Sequence, residues 1–141
     1  MARHYAPLAI ARGAARALAS LAAARAQLYR TTPADILALN ASASARTAAM
    51  AGALSPEDCA AHCDKVAFFI PRMAARVPWR ADCLVQAMAG QRWLMRQGVA
   101  SEIVIGTAKL VPGEFEAHAW LVCEGRIVLG GDISRFSPLI A

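Results

Sequence analysis

The chain has 141 residues, is 57% hydrophobic and 18% charged, and carries a formal net charge of +5. That length and apolar content suit a single domain with a sizeable core and argue against extended disorder. No run of ~20 apolar residues is present, which excludes a conventional membrane-spanning helix.

The charge is uneven. Arg3, Arg12, Arg16, Arg25 and Arg30 all precede the first acidic residue, Asp35, and the rest of the chain balances to zero. An acid-free start rich in alanine and arginine has the look of an organelle transit peptide. Arg12, Arg16 and Arg25 interrupt the continuous apolar region that a secretory signal needs. A surface helix explains the segment more simply. Its functional counterpart is a basic face that meets an acidic partner, a peptide or a membrane surface. With no secretory signal, Cys59, Cys63, Cys83 and Cys123 read as free thiols in a reducing cytoplasm.

In chain order, residues 6–29 read as an alanine-rich helix striped by Leu18, Leu21 and Leu28 and weakened by Gly13. Thr32 and Pro33 predict an N-cap and first turn, starting a short helix through Leu39. Residues 40–55 are small and weakly patterned, and read as a loop or loose helix. Ser55, Pro56, Glu57 and Asp58 start another helix, which the sequence ends near Ile70 because Pro71 follows. A further turn or two reaches Pro78. Asp82 is the candidate cap of the most strongly patterned helix, with Cys83 at its first position and Gly98 just past its end.

After Gly98 the period changes. Glu102–Lys109, Phe115–Val122 and Arg126–Leu129 read as strands, with turns at Pro112-Gly113 and Cys123-Glu124-Gly125. Helices first and an antiparallel sheet after them give an α+β order. The division expected is a helical region over 1–55 and a catalytic core over 56–141.

Three residues carry potential chemistry. A cysteine attacks only as thiolate, and a helix N-terminus favours that anion, so Cys83 is a candidate nucleophile whose own N–H could help form an oxyanion hole. His118 alternates with Glu116 and Trp120 on one strand face, leaving Ala117, Ala119 and Leu121 for packing. Asp132 follows the next strand, where a hairpin would return it toward His118 to orient the imidazole. Taken singly, each has a plainer reading: a buried thiol, a structural histidine, a turn aspartate.

The segments VPWRADCLVQAMAGQRWLMRQGV, EIVIGT and EAHAWLVCEGRIVLGGD bring these residues together. They resemble the transglutaminase-like, papain-like leader peptidase of lasso-peptide biosynthesis, the stand-alone peptidase part of the maturation B protein. The shared pattern is Pro78, Cys83-Leu84, Gly98, Ile105-Gly106 and Ala117-His118-Ala119-Trp120, and the match covers roughly residues 56–139. The resemblance implies Cys83 as nucleophile, His118 as general base and Asp132 as orienting acid. The family's acid often lies about a dozen residues after the histidine, where this chain has Gly130; Asp132 is the only carboxylate after Glu124.

The resemblance further implies removal of an N-terminal leader from a ribosomally made precursor, before a separate lasso cyclase closes the macrolactam. Residues 1–55 lack strands, so a separate leader-recognition protein is the expected partner. Another acyl transfer on the same triad, transglutamination or amide hydrolysis, stays open, as does a non-catalytic peptide-binding scaffold. Trp79 and Trp120 are candidate walls of a peptide groove. Cys59, His62, Cys63 and Asp64 suggest a metal cluster, but no second Cys/His pair completes four ligands. No metal or organic cofactor is expected, nor nucleic-acid binding or membrane association.

Overall fold

The computed structural model describes residues 4–50, 54–109 and 112–140; Arg3 and residues 51–53 of the 40–55 stretch lie outside them. Four helices precede a four-stranded antiparallel sheet, the α+β order expected. The helices are α1 (Pro7–Leu28), α2 (Pro33–Ala49), α3 (Pro56–Ala74) and α4 (Cys83–Arg96). The strands are β1 (Glu102–Lys109), β2 (Phe115–Cys123), β3 (Arg126–Leu129) and β4 (Ser137–Ile140), in the spatial order β3-β2-β1-β4.

The starts of α2, α3 and α4 follow from their caps, whereas α1 begins at Pro7 without a side-chain cap. The Asp35 carboxylate accepts from the Thr32 N–H at 2.6 Å and from its hydroxyl at 2.9 Å. The Ser55 hydroxyl accepts from the Asp58 N–H at 3.1 Å. α1 buries Gly13, Ala17, Leu21 and Ala24 along one stripe. Gly13 is needed there because the Phe69 ring of α3 lies 2.3 Å from where a Cβ would sit.

Two helices outrun the expectation. α2 continues through Ala49 instead of ending at Leu39. Tertiary contacts hold this weakly patterned stretch, since Ala43 is buried in it and Asn40 bonds to β1. α3 passes through Pro71 to Ala74. The proline removes one N–H near the helix end, and the Arg72 guanidinium braces the same turn by donating to the Phe68 carbonyl at 2.8 Å. β4 is a strand the sequence did not announce, a short segment with Pro138 at the sheet edge, where the missing N–H is tolerated.

The sheet has two distinct faces. Ile103, Leu121, Cys123 and Leu129 join the helices in the main core, together with Leu21, Ile36, Val66, Val85 and Leu94. Val104, Ala108, Trp120 and Phe136 form a second, smaller cluster on the other face. The main core draws on residues from both sides of position 55, so α1 and α2 are packed into the same core as the sheet.

One polar device fixes α2 to the sheet. Asn40 Oδ1 accepts from the Ile103 N–H at 2.8 Å, and Asn40 Nδ2 donates to the Ile103 carbonyl at 3.0 Å. The amide thus pairs with β1 as a neighbouring strand would. Gln91 Nε2 donates to the same Asn40 oxygen at 2.8 Å, adding α4 to the junction. Asn40→Leu takes these partners from the Ile103 backbone and from the buried Gln91 amide. Urea denaturation should show a loss of about 2–4 kcal/mol. A loss under ~0.5 kcal/mol would mean the junction is not a stabilising element.

Candidate active site

Cys83 is the first residue of α4 and is half-buried. Asp82 caps the helix, its carboxylate accepting a long 3.4 Å bond from the Val85 N–H while its other oxygen lies 3.5 Å from Arg80. The Asp82 charge is therefore directed to backbone and to Arg80. Gln86 donates to the Ala81 carbonyl at 3.0 Å and braces the approach to the helix. As a first-turn residue, Cys83 presents an N–H with no intrahelical acceptor.

α4 turns at Gly98 into β1, and β2 returns antiparallel to β1, so α4 and β2 run in the same direction. Gly90 marks their contact: a Cβ there would lie 2.8 Å from Leu121 and 2.6 Å from Leu129. From Gly90 toward the helix start, Cys83 is about 10 Å away along the axis. From Leu121 toward the strand start, His118 is about 10 Å away. Cys83 and His118 thus occupy the same end of the helix–sheet sandwich.

His118 shares its face with Trp120, as the alternation predicts. Its ring stacks on Phe136 at 4.8 Å and more distantly on Trp120 at 6.1 Å. This is the second sheet face, away from the one Leu121 presents to α4. His118 Nε2 lies 2.7 Å from the Gly130 carbonyl oxygen. A carbonyl only accepts, so Nε2 carries the proton and Nδ1 of the neutral ring is left as the base. The segment after β3 folds over this face, and Arg135 holds it down by pairing with Glu116 at 2.8 Å.

Two glycines seat the neighbouring indole. A Cβ on Gly106 would lie 2.6 Å from Trp120, and one on Gly130 would lie 2.3 Å from Trp120 Cβ. Gly106 and His118 are paired across β1 and β2, which explains why an Ile-Gly strand accompanies an Ala-His-Ala-Trp strand.

The three residues expected to form a triad are not joined. Among the described residues no hydrogen bond links Cys83 to His118, and none links His118 to Asp132. Asp132 instead accepts from the Ser134 N–H at 2.9 Å, a local turn bond. That bond holds its carboxyl below the usual aspartate value, with the Ser134 side chain adding to the effect. The Gly130 carbonyl takes the orienting position on His118, twelve residues beyond it, where the sequence offered no side chain to notice. Asp132→Asn keeps the turn bond, so turnover should stay within about twofold of wild type; a true triad acid is worth powers of ten in rate. A loss beyond ~30-fold would place Asp132 on His118 during the reaction.

The other expected site residues also have definite places. Trp120 is 2% exposed and packed in the second cluster, so it is core and not the wall of an open groove. Trp79 is half-buried against the main core, with a buried indole N–H that has no partner among the described residues. Cys63 lies beside Cys123, whose thiol bonds to it; the bond pushes the Cys63 thiol down and, with burial, pushes Cys123 up. Among the described residues no group of three or more His, Cys, Asp or Glu side chains is arranged to hold a metal ion. None of the helices described is long and apolar enough to cross a membrane.

Compared with known proteins, residues 4–141 match the family model of the transglutaminase-like superfamily. No curated protein and no solved structure matches the chain.

Proposed function

Because the chain belongs to the transglutaminase-like superfamily, we propose that it is a cysteine peptidase that removes the leader from a lasso-type precursor peptide. The observation that carries the reading is a thiol at the first position of a capped helix together with an imidazole whose Nε2 is tied to a carbonyl, although no hydrogen bond joins the two among the described residues. The tie leaves Nδ1 free for proton transfer. Superfamily membership supports cysteine-based acyl transfer or hydrolysis; the Cys-Leu and Ala-His-Ala-Trp segments supply the narrower reading.

In this reaction Cys83 Sγ forms a bond to the scissile carbonyl carbon as its proton passes to His118. The amide C–N bond then breaks, and the imidazolium returns the proton to the departing amine of the core peptide. Water, deprotonated by His118, cleaves the thioester and frees the leader carboxylate. The Cys83 N–H stabilises the oxyanion of both steps. Transfer of the thiol proton requires Cys83 and His118 to come into contact in the substrate complex. A separate recognition protein delivers the leader, and a lasso cyclase consumes the freed amine.

Mass spectrometry of a candidate precursor mixed with the protein tests this, with and without the recognition protein. Free leader carboxylate and free core amine support the peptidase. A leader joined to an added amine would instead identify a transglutaminase on the same site. One observation favours a non-catalytic scaffold, namely the absence of a Cys83–His118 bond among the described residues. An intact precursor that binds but is never cut would establish that reading.

A further inference from the structure

A second feature lies on the helical side, remote from Cys83. A cavity of about 710 Å³ runs beside α1, with Leu8, Arg12, Arg16 and Lys65 around a floor of Phe69 and Trp93. A second cavity of about 260 Å³ shares Arg16 and Trp93 with it and adds Arg92 and Arg96. We propose that these adjoining cavities form a groove that docks an acidic, amphipathic segment of a partner polypeptide, independently of the cleavage chemistry.

The charge is one-sided. Five cations line the groove, no carboxylate does so among the described residues, and none of the five is in an ion pair there. The spacing is regular. Leu8, Arg12 and Arg16 follow one another at four-residue steps along α1, and Arg92 and Arg96 do so along α4, giving two rows of neighbouring side chains. The same field reaches inward: burial pushes the His62 imidazole down in pKa, and Lys65 and Arg16 add to it.

A second, independent observation points to an acceptor-bearing ligand. Trp93 is 2% exposed, lines both cavities, and has a buried indole N–H without a hydrogen-bond partner. The hydroxyl of Tyr5, which also lines the larger cavity, is likewise buried and unpartnered among the described residues. The Arg16 guanidinium lies over the Trp93 ring, 5.7 Å from its centroid. Exposed Leu8 offers an apolar lip for the partner's hydrophobic side chains.

The shape selects among anionic partners. Phe69 and Trp93 are buried, so neither offers a free face on which a nucleic-acid base could stack. A bilayer surface suits a projecting amphipathic face, whereas these cations line a concavity. A peptide carrying carboxylates beside leucine-like side chains fits both the charge and the exposed Leu8 lip.

The test is fluorescence anisotropy with a labelled peptide of alternating Glu and Leu pairs, against its Gln-for-Glu counterpart. Saturable binding of the acidic peptide is expected, falling as salt rises. Arg12→Glu with Lys65→Glu should weaken it at least tenfold, and Arg92→Glu with Arg96→Glu, on a different helix, should do the same. Circular dichroism melts identify which pair remains folded, so that pair decides the outcome; if neither folds, the single variant Arg12→Glu decides it. Cys83→Ala should bind as wild type does, which separates docking from catalysis. The proposal is overturned if the folded reversal variants bind normally, if the Gln peptide binds equally well, or if phosphatidylglycerol vesicles or single-stranded RNA bind more tightly to the same groove.

Discussion

Cys83→Ala is expected to abolish cleavage, lowering turnover by at least about a thousandfold, because no other group in the site can form the thioester. The fold should be nearly indifferent to the change. Cys83 is half-buried at the first turn, and Asp82 still caps the helix, so the melting temperature should move by no more than a few degrees. Cys59 is also half-buried, but it sits on α3 beside Cys63 and Cys123, in a separate cavity of about 100 Å³. Alanine at Cys59 should therefore leave turnover within about twofold. Mass spectrometry of precursor processing, paired with a thermal melt, reads both quantities. Loss of activity in Cys59→Ala but not in Cys83→Ala would relocate the nucleophile.

Gly130→Ala is the second large effect. Gly130 has φ +121°, a region essentially closed to alanine, and its new Cβ would fall 2.3 Å from Trp120 Cβ. Neither can be relieved without moving the segment that carries the Gly130 carbonyl away from His118. A destabilisation of about 2–4 kcal/mol is expected from strain and overpacking together. Turnover at a temperature where the variant is folded should drop more than tenfold, as the tautomer and orientation of His118 are lost. Gly131 provides the control. It has φ +67° and nothing within 4 Å of where a Cβ would sit, so Gly131→Ala should cost only about 1 kcal/mol and keep activity. Nitrogen chemical shifts of His118 separate orientation from simple instability. Wild type and Gly131→Ala should show the Nε2–H tautomer, and Gly130→Ala should show a tautomer mixture. An unchanged tautomer in Gly130→Ala would mean another group holds the ring.

Much of the half after residue 56 was legible because its signals are local. Asp82 and Gly98 bracket α4, and Gly98 adopts φ +78° just past the helix end. The β-branched run Glu102–Lys109 and the four residues Arg126–Leu129 form strands with the bounds expected. The alternation that sets His118 apart from Leu121 survives as two separate faces. The misses arise where distant contacts decide. The second half of α2 lacks a strong stripe and is held by Asn40 on β1. β4 exists because β1 has a free edge to pair with.

The orienting group was hidden for a different reason. Sequence reasoning looks for a side chain, and the atom on His118 is a main-chain oxygen of a residue that has none. Asp132 has the right chemistry, but its own Asx turn with Ser134 directs the carboxylate elsewhere, a choice set by loop geometry. Gly130 at the position of the family's usual acid was the one available signal.

Everything proposed for catalysis depends on Cys83 carrying the acyl group. Rapid acid quench of protein and precursor, followed by intact-protein and peptide mass spectrometry, measures this directly. The predicted result is an increase equal to the leader acyl group, mapped to Cys83 and absent from Cys83→Ala. Complete cleavage by Cys83→Ala, or an adduct on any other residue, would contradict it.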